Sequence, residues 1–403
     1  MNGRTPFHAH RRAWLQHLLA LGGAGALMPV AAHAQALAAP LSAPRRDPAL
    51  DRVQPGRKLE FPSDHGAHPG ARTEWWYLTG QLQPDGAPAT TSPRWGFQVT
   101  FFRSRTDLAA EVPGRFAARQ LLFAHAALTD LGARGVPASH AHDQRMARWN
   151  GIDATPSARA SLRDTDVAIG DWRMARDAQD GSYRIEVPAA GFTLDLTAKP
   201  TQPLLLQGQA GFSRKGPGDE HASHYYSVPQ LQVQGRVSQR GGAAAALRGT
   251  GWLDHEWSDS VLAPEAAGWD WLGINMFDGA ALTLFQLRRR GTTDPLAKPF
   301  WAGGSWRDAS GRLTIFPADK VRFEPGATWT SPRTGARYPV RWTVFTPVGR
   351  FMVLALSDAQ EVDSRASTGT VYWEGLTALV GDEGRRVGLG YLEMTGYADR
   401  PDL

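Results

Sequence analysis

From residue 73 onward the apolar side chains recur at every second position in short runs. No run carries the three-and-four spacing of an amphipathic helix over three turns. The runs 73–80 (TEWWYLTG), 95–102 (WGFQVTFF), 183–187, 192–196 and 231–237 read as strands, and Pro84-Asp85-Gly86 separates the first two as a turn. The plainest hairpin is GWDWLGINMFDGAALTLFQLRRR, where Asp278-Gly279 is a two-residue turn between alternating runs. Further pairs are 300–306 with 313–316, 340–345 with 350–356, and 371–379 with 388–397. Many short antiparallel strands at hairpin spacing build barrels or sandwiches, and a closed barrel removes its sheet edges and encloses space for a ligand. Glu74-Trp75-Trp76-Tyr77-Leu78 is echoed by Trp269-Asp270-Trp271-Leu272, a weak sign of duplication that places a boundary near residue 260.

A chain of 403 residues suits two such domains. Its 15 Trp fall in clusters, which favours a broad apolar interior or a pocket for a flat apolar ligand. The formal charge of +5 drops to +2 without the first 34 residues, which hold Arg4, Arg11 and Arg12 and no acid. The remaining basic residues do not cluster as nucleic-acid binding requires, and Arg288-Arg289-Arg290 reads as a solvated flank of a turn. With no cysteine, disulfides, thiolate metal sites and thiol nucleophiles are excluded.

The N-terminus reads as a cleavable signal (residues 1–34). Arg11-Arg12 precede an apolar run too short and too broken by glycine and Pro29 to span a bilayer, and Ala32-His33-Ala34 has the small-x-small form of a cleavage site. The arginine pair with Trp14 and Leu15 resembles a twin-arginine export signal. Residues 35–50 read as an Ala/Pro-rich tether. The expectation is a periplasmic or secreted protein with no transmembrane helix in the mature chain.

The densest chemistry lies in GTGWLDHEWSDS (249–260). On a strand, Trp252, Asp254 and Glu256 share one face and Leu253, His255 and Trp257 the other. Two carboxyls on one face beside indole repel each other, and burial favours keeping one protonated, which makes it a proton donor; the bland alternative is an acid pair bracing a domain junction. In Gly268-Trp269-Asp270-Trp271 the indoles share a face opposite Asp270, and Glu74 lies beside Trp75 and Trp76. Indole faces stabilise positive charge, so such a site either holds an apolar ligand or shelters a carbocation while water attacks it. The pairs His65/His68 and His221/His224 lie in Gly/Pro-rich loops without a third ligand, and no metal is expected. No G-x-S-x-G nucleophile elbow occurs, and Gly208-Gln209-Ala210-Gly211 lacks the Lys-Ser/Thr ending of a phosphate loop.

HPGARTEWWYLTGQL (68–82), LLFAHAALTD (121–130), GTGWLDHEWSDS with GWDWLGINMFDG, and YWEGLTALVG with GLGYLEMTGY (372–397) together resemble the AttH-like, carotenoid 1,2-hydratase family over nearly all of the mature chain. The resemblance implies an all-β protein of two tandem lipocalin-like (calycin-type) antiparallel β-barrels: a hydratase-type domain over 51–260 and a lipocalin-like domain over 261–403. It implies no redox cofactor. Two functions follow as expectations. In the first, the protein binds an apolar lipid or isoprenoid in a pocket lined by Glu74, Trp75, Trp76, Trp257, Trp269 and Trp271 and works with an export-type ABC transporter permease. In the second, it is a cofactor-independent hydro-lyase in which Asp254 or Glu256 donates the proton, His255 and Asp270 orient water, and Trp257, Trp269 and Trp271 face the positive charge. A secreted hydrolase is a weaker third reading, lacking a recognisable nucleophile.

Overall fold

The structure, a computed structural model, describes residues 51–401 except 88–91, 107–116, 133–135, 150–156, 240, 293, 295 and 400. The signal and tether expected over 1–50 therefore lie outside the described residues. No α-helix occurs among the described residues, and nearly all regular structure is antiparallel β.

The first sheet has 13 strands. At its centre strand Thr73–Pro84 pairs with Trp95–Arg105 on one side and, in register Glu74 to Trp257 and Trp76 to His255, with Ala245–Ser258 on the other. Outward from there run Gln120–Asp130 and Ser139–Trp149 in one direction and Ala222–Gln239, Phe192–Lys199 and a short meander in the other. The second sheet has 10 strands around the hairpin Ala266–Met276 and Ala281–Arg289. Its turn is three residues long rather than the expected two: Met276 N–H donates to the Ala280 carbonyl at 2.9 Å, Phe277, Asp278 and Gly279 form the loop, and Gly279 takes the left-handed position at φ 91°. Strands Arg386–Met394 and Val371–Val380 continue that sheet. Both sheets curl, the first into a barrel and the second into a half-barrel, in the manner of tandem lipocalin-like domains.

Strands missed by the alternation rule are instructive. Ser139–Trp149 (SHAHDQRMARW) is polar on both faces and half-buried, so it carries no apolar period. Ala222–Gln239 begins nine residues before the run legible in the sequence, because its first half, ASHYYSVP, is buried on both faces and does not alternate.

Among the described residues three large apolar clusters and one small one, Ala127 with Val362 and Tyr372, fill the interior. One lies inside the first barrel around Trp76, Leu78, Leu253 and Trp257. One lies inside the half-barrel around Leu272, Trp342 and Trp373. The third lies between the sheets, built from Tyr77, Trp252, Trp271, Phe285, Leu376 and Tyr391. Polar contacts also cross between the sheets: Asn275 Nδ2 donates to the Gly251 carbonyl at 2.9 Å, Gln207 Nε2 to Thr283 Oγ1 at 2.9 Å, and His125 Nδ1 meets Tyr372 Oη at 2.9 Å.

The interior of the first barrel also holds ionised groups. Glu74 accepts from Arg103 Nε at 2.8 Å, His68 Nδ1 at 2.7 Å, His255 Nε2 at 2.9 Å and the His68 backbone N–H. The other ring nitrogen of His68 meets Asp64 Oδ1 at 3.1 Å. Both nitrogens of His68 thus face carboxylates, and the ring stacks on Trp257 at 3.6 Å. His255 stacks on Trp76 and completes the chain through Tyr226 Oη to His65 Nδ1. Burial alone would raise the Glu74 carboxyl, but the charges of His68 and Arg103 and its hydrogen bonds hold it well below the usual range.

Replacing Glu74 leaves buried Arg103 and His68 uncompensated. Glu74→Gln is expected to lose about 3–5 kcal/mol of unfolding free energy at neutral pH. A folded carboxyl held low contributes stability above its unfolded value, so the wild-type advantage should hold from pH 7 to about 5 and shrink as pH falls from there toward 3. Denaturant titrations of both proteins across that range check it; a cost independent of pH would show that packing, not charge, sets the loss.

Candidate active site

The third cluster does not close completely. Between the sheets lies a cavity of about 1100 Å³ of atom-free space, counted out to its open mouth. Its apolar wall includes Trp75, Phe102, Trp269, Trp271, Phe285 and Leu287; its ionisable lining comprises Asp254, Glu256, Glu374, Glu393, Lys215 and His221 with Tyr77 and Tyr372.

Strand alternation decides who reaches it. Trp75 and Tyr77 on Thr73–Pro84, Asp254 and Glu256 on Ala245–Ser258, and Trp269 and Trp271 on Ala266–Met276 all face the cavity. Glu74, Trp76, His255 and Trp257 alternate with them and point into the first barrel, where they form the network above. Asp270 points into the half-barrel, where Gln286 Nε2 donates to it at 2.9 Å and Tyr397 Oη at 3.0 Å. Five of the ten sequence-derived site residues therefore meet at one cavity and five do not. His255 and Asp270 cannot orient water there because an adjacent strand position lies on the opposite face. Arg288 also departs from its reading as a solvated flank: its guanidinium lies 3.4 Å from Asp270 and 3.8 Å over the Tyr397 ring.

Asp254 is buried and meets no cation among the described residues. Tyr225 Oη donates to Oδ2 at 2.6 Å, while Ser227 Oγ and Trp252 Nε1 donate to Oδ1 at 2.5 and 2.7 Å. Burial pushes its carboxyl up to about 7; those three hydrogen bonds oppose the shift and the neighbouring Glu256 charge adds to it. Glu256, two residues on, lies 3.0 Å from Lys215 Nζ as an ion pair. Lys215 in turn lies over the Tyr225 and Phe285 rings.

Glu374 and Glu393 went unnoticed in the sequence. They sit directly opposite each other on Val371–Val380 and Arg386–Met394, both buried on the cavity wall. Among the described residues no basic group ion-pairs with either. Burial and then their mutual repulsion raise Glu374 well above the usual carboxyl range, and burial with surrounding acids raises Glu393. The signal for this pair was the cross-strand register, which only the folded sheet reveals.

His68, Glu74 and His255 bring three potential metal-ligand atoms within 4.8 Å of one another. The set is already balanced without an ion: His68 and Arg103 offset Glu74 and Asp64, and every facing atom has a hydrogen-bond partner. A divalent cation there would displace the shared protons and leave net positive charge buried, so the residues present do not fit one.

Comparison with known proteins places this architecture. The AttH-like family model matches residues 52–397. A Nitrosomonas europaea protein provisionally assigned as an AttH is 45% identical; the match covers 86% of this chain and 99% of that one, with a TM-score of 0.75. Kievitone hydratase of Nectria haematococca is 15% identical over 85% of this chain and 94% of its own, with a TM-score of 0.61, and shares the fold. None of the curated proteins compared matches the chain. By the extent of the family match, the chain is a member of the AttH-like family.

Proposed function

We propose that the protein is a cofactor-independent hydratase that adds water to a carbon–carbon double bond of an apolar substrate held between the two sheets. The carrying observation is the unequal treatment of two neighbouring carboxyls on one cavity wall. Among the described residues Asp254 has no cation beside it, and burial raises its carboxyl to about 7; Glu256 forms an ion pair with Lys215. Environments that separate two acids in this way assign one as general acid and the other as general base. About 7 Å of strand separates their backbones, enough to flank a double bond and one water. Hydratase chemistry also agrees with the resemblance to carotenoid hydratases and with a hydratase among proteins of this fold.

The reaction follows from these placements. The Asp254 proton adds to one alkene carbon, using the π pair to form the new C–H bond. Positive charge develops on the other carbon beside Trp75, Trp269 and Trp271, whose indole faces stabilise it. Tyr225, Ser227 and Trp252 already aim donors at the Asp254 oxygens, so the carboxylate left behind is stabilised without reorganisation. Water forms the C–O bond and loses its surplus proton to Glu256; an oxonium is acidic enough that a paired carboxylate suffices. Glu256 then releases that proton to solvent and solvent returns one to Asp254, which resets both acids. The acids favour this reading over simple carriage of a lipid, because a carrier pocket gains nothing from four buried carboxyls and one lysine.

Purified protein incubated with unsaturated isoprenoids and enones in oxygen-labelled water should yield labelled alcohols. Asp254→Asn is expected to lower that rate about 10²–10⁴-fold. A panel giving no labelled product, or a variant as fast as wild type, sinks the proposal.

The same carboxyl sets a pH dependence. The rate should fall as pH rises through about 7 and the donor ionises. Stability should follow with the same sign. The folded protein holds a proton that the unfolded chain releases near pH 4, so Asp254 stabilises fully below that value and loses its contribution as pH rises through about 7. Asp254→Asn should therefore gain on wild type between pH 4 and 8, by an amount on the order of a few kcal/mol. Paired denaturant titrations read this; a constant difference would place the Asp254 carboxyl in its ordinary range.

A further inference from the structure

A chain of hydrogen bonds leaves the cavity wall and ends near the surface. Asp254, Tyr77, Thr100 and His125 lie in one cross-strand row of the first sheet. The first three line the cavity, and three strand spacings put His125 about 14 Å from Asp254 along that row. Tyr372 reaches the row from the second sheet; it also lines the cavity, and its Oη meets His125 Nδ1 at 2.9 Å. The other ring nitrogen, Nε2, meets Ser367 Oγ at 2.9 Å. His125 is buried, whereas Ser367 is half-buried beside exposed Arg365 and Ala366.

The neighbours of this chain fix where its protons sit. Gln144 Nε2 donates to the Asp363 carbonyl at 3.0 Å, which turns Gln144 Oε1 toward Ser367 Oγ at 2.6 Å. A second acceptor, the Ser364 carbonyl, lies 3.2 Å from the same Oγ. Ser367 therefore spends its proton outward and accepts from His125 Nε2–H, and Nδ1 accepts from the Tyr372 hydroxyl. Burial, with His142 nearby, lowers the imidazole to about 3, so the ring is neutral near pH 7. The Gln98 side chain also hydrogen-bonds Tyr372 and steadies the phenol. A neutral imidazole with a hydroxyl on each nitrogen passes a proton by changing tautomer.

Resting on the reading of this cavity as a hydratase site, we propose that Tyr372, His125 and Ser367 form a proton relay between the cavity and solvent. Each turnover leaves Glu256 with a surplus proton and Asp254 without one, while an apolar substrate or product in the cavity keeps bulk water out. Outward, a proton joins Tyr372 Oη as the hydroxyl proton passes to His125 Nδ1, the Nε2 proton passes to Ser367 Oγ, and the Ser367 proton leaves to water. The ring is then in its other tautomer, and one inward transfer, for Asp254, restores it. One proton out and one in is the traffic the hydration cycle demands, so the relay resets with every turnover and consumes nothing. Within the cavity the Tyr77 and Thr100 hydroxyls of the same row, with trapped water, span the distance from the acids to Tyr372.

The test reads proton exchange and needs no turnover. The probe is decane, an apolar occupant with no exchangeable proton, whose binding is read by gas chromatography of extracted protein. After mixing into heavy water, infrared spectroscopy follows the carboxylic-acid C=O band as the cavity acids take up deuterium, at a pH below about 7 where Asp254 and Glu393 carry protons. With decane bound, His125→Phe and Tyr372→Phe, which fill the space but cut the chain, should exchange about 10²-fold more slowly than wild type, the low end for a positioned proton-transfer group. Imidazole should restore exchange in decane-bound His125→Ala; 1-methylimidazole, which fills the same space but cannot change tautomer, should not. A junction merely loosened by these changes exchanges faster, so the sign of the effect separates a relay from a brace. Exchange in the Phe variants as fast as wild type or faster, rescue by both imidazoles or by neither, or failure of decane to bind overturns the relay. Slowed exchange without a labelled alcohol overturns the hydration reading alone, and a labelled alcohol with unslowed exchange overturns the relay alone.

Discussion

Strands Thr73–Pro84 and Ala245–Ser258 are buried on both faces over most of their shared length, and the arrangement depends on that constraint. An ordinary antiparallel strand turns one face to solvent. These two turn one face to the barrel interior and the other to a second sheet, so every residue along them must be satisfied by protein or by a ligand. Period two then sorts their side chains without exception. Glu74, Trp76, His255 and Trp257 are enclosed in the barrel; Trp75, Tyr77, Asp254 and Glu256 are delivered to the gap between sheets. The unusual alternation of acids with indoles in both strands is the result of two interiors sharing one wall.

Much of this was legible in the sequence, because period-two patterning and turn residues are local. The all-β architecture, the Asp278-Gly279 hairpin and the face shared by Asp254 and Glu256 all follow from neighbouring positions. So does the face shared by Trp269 and Trp271 opposite Asp270. The error was to enlist His255 and Asp270 beside residues one position away, against the alternation just established. Proximity along a strand is not proximity in space when the step is odd.

What the sequence withheld is non-local. Glu374 and Glu393 are unremarkable in YWEGL and YLEMT; they become a like-charged pair only through a register that sets them opposite each other. Tyr225 and Ser227 reach Asp254 because Ala222–Gln239 pairs with Ala245–Ser258. His68 looked like half of a failed metal site in a loop. It is a buried ring whose two carboxylate partners come from the turn Ser63–His65 and from the next strand. Lys215 sits in a loop before Ala222–Gln239, and nothing near it in sequence points to Glu256.

The two interiors treat identical chemistry in opposite ways, and the difference separates structure from function. Glu74 and Glu374 are both glutamates buried on strands. The first has two cations and a full set of donors, is held ionised, and has nothing left to offer a ligand. The second faces another acid, has Tyr77 beside it and no ion-pair partner among the described residues, and is raised well above the usual carboxyl range on the wall of an open cavity. A closed, neutral network holds a barrel together, and removing any member strands its neighbours. A set of acids raised by burial beside indoles does the reverse: it costs stability in the empty protein and supplies groups poised for proton transfer. On that ground the chemistry belongs to the gap between the sheets rather than to the more elaborate histidine network inside the barrel.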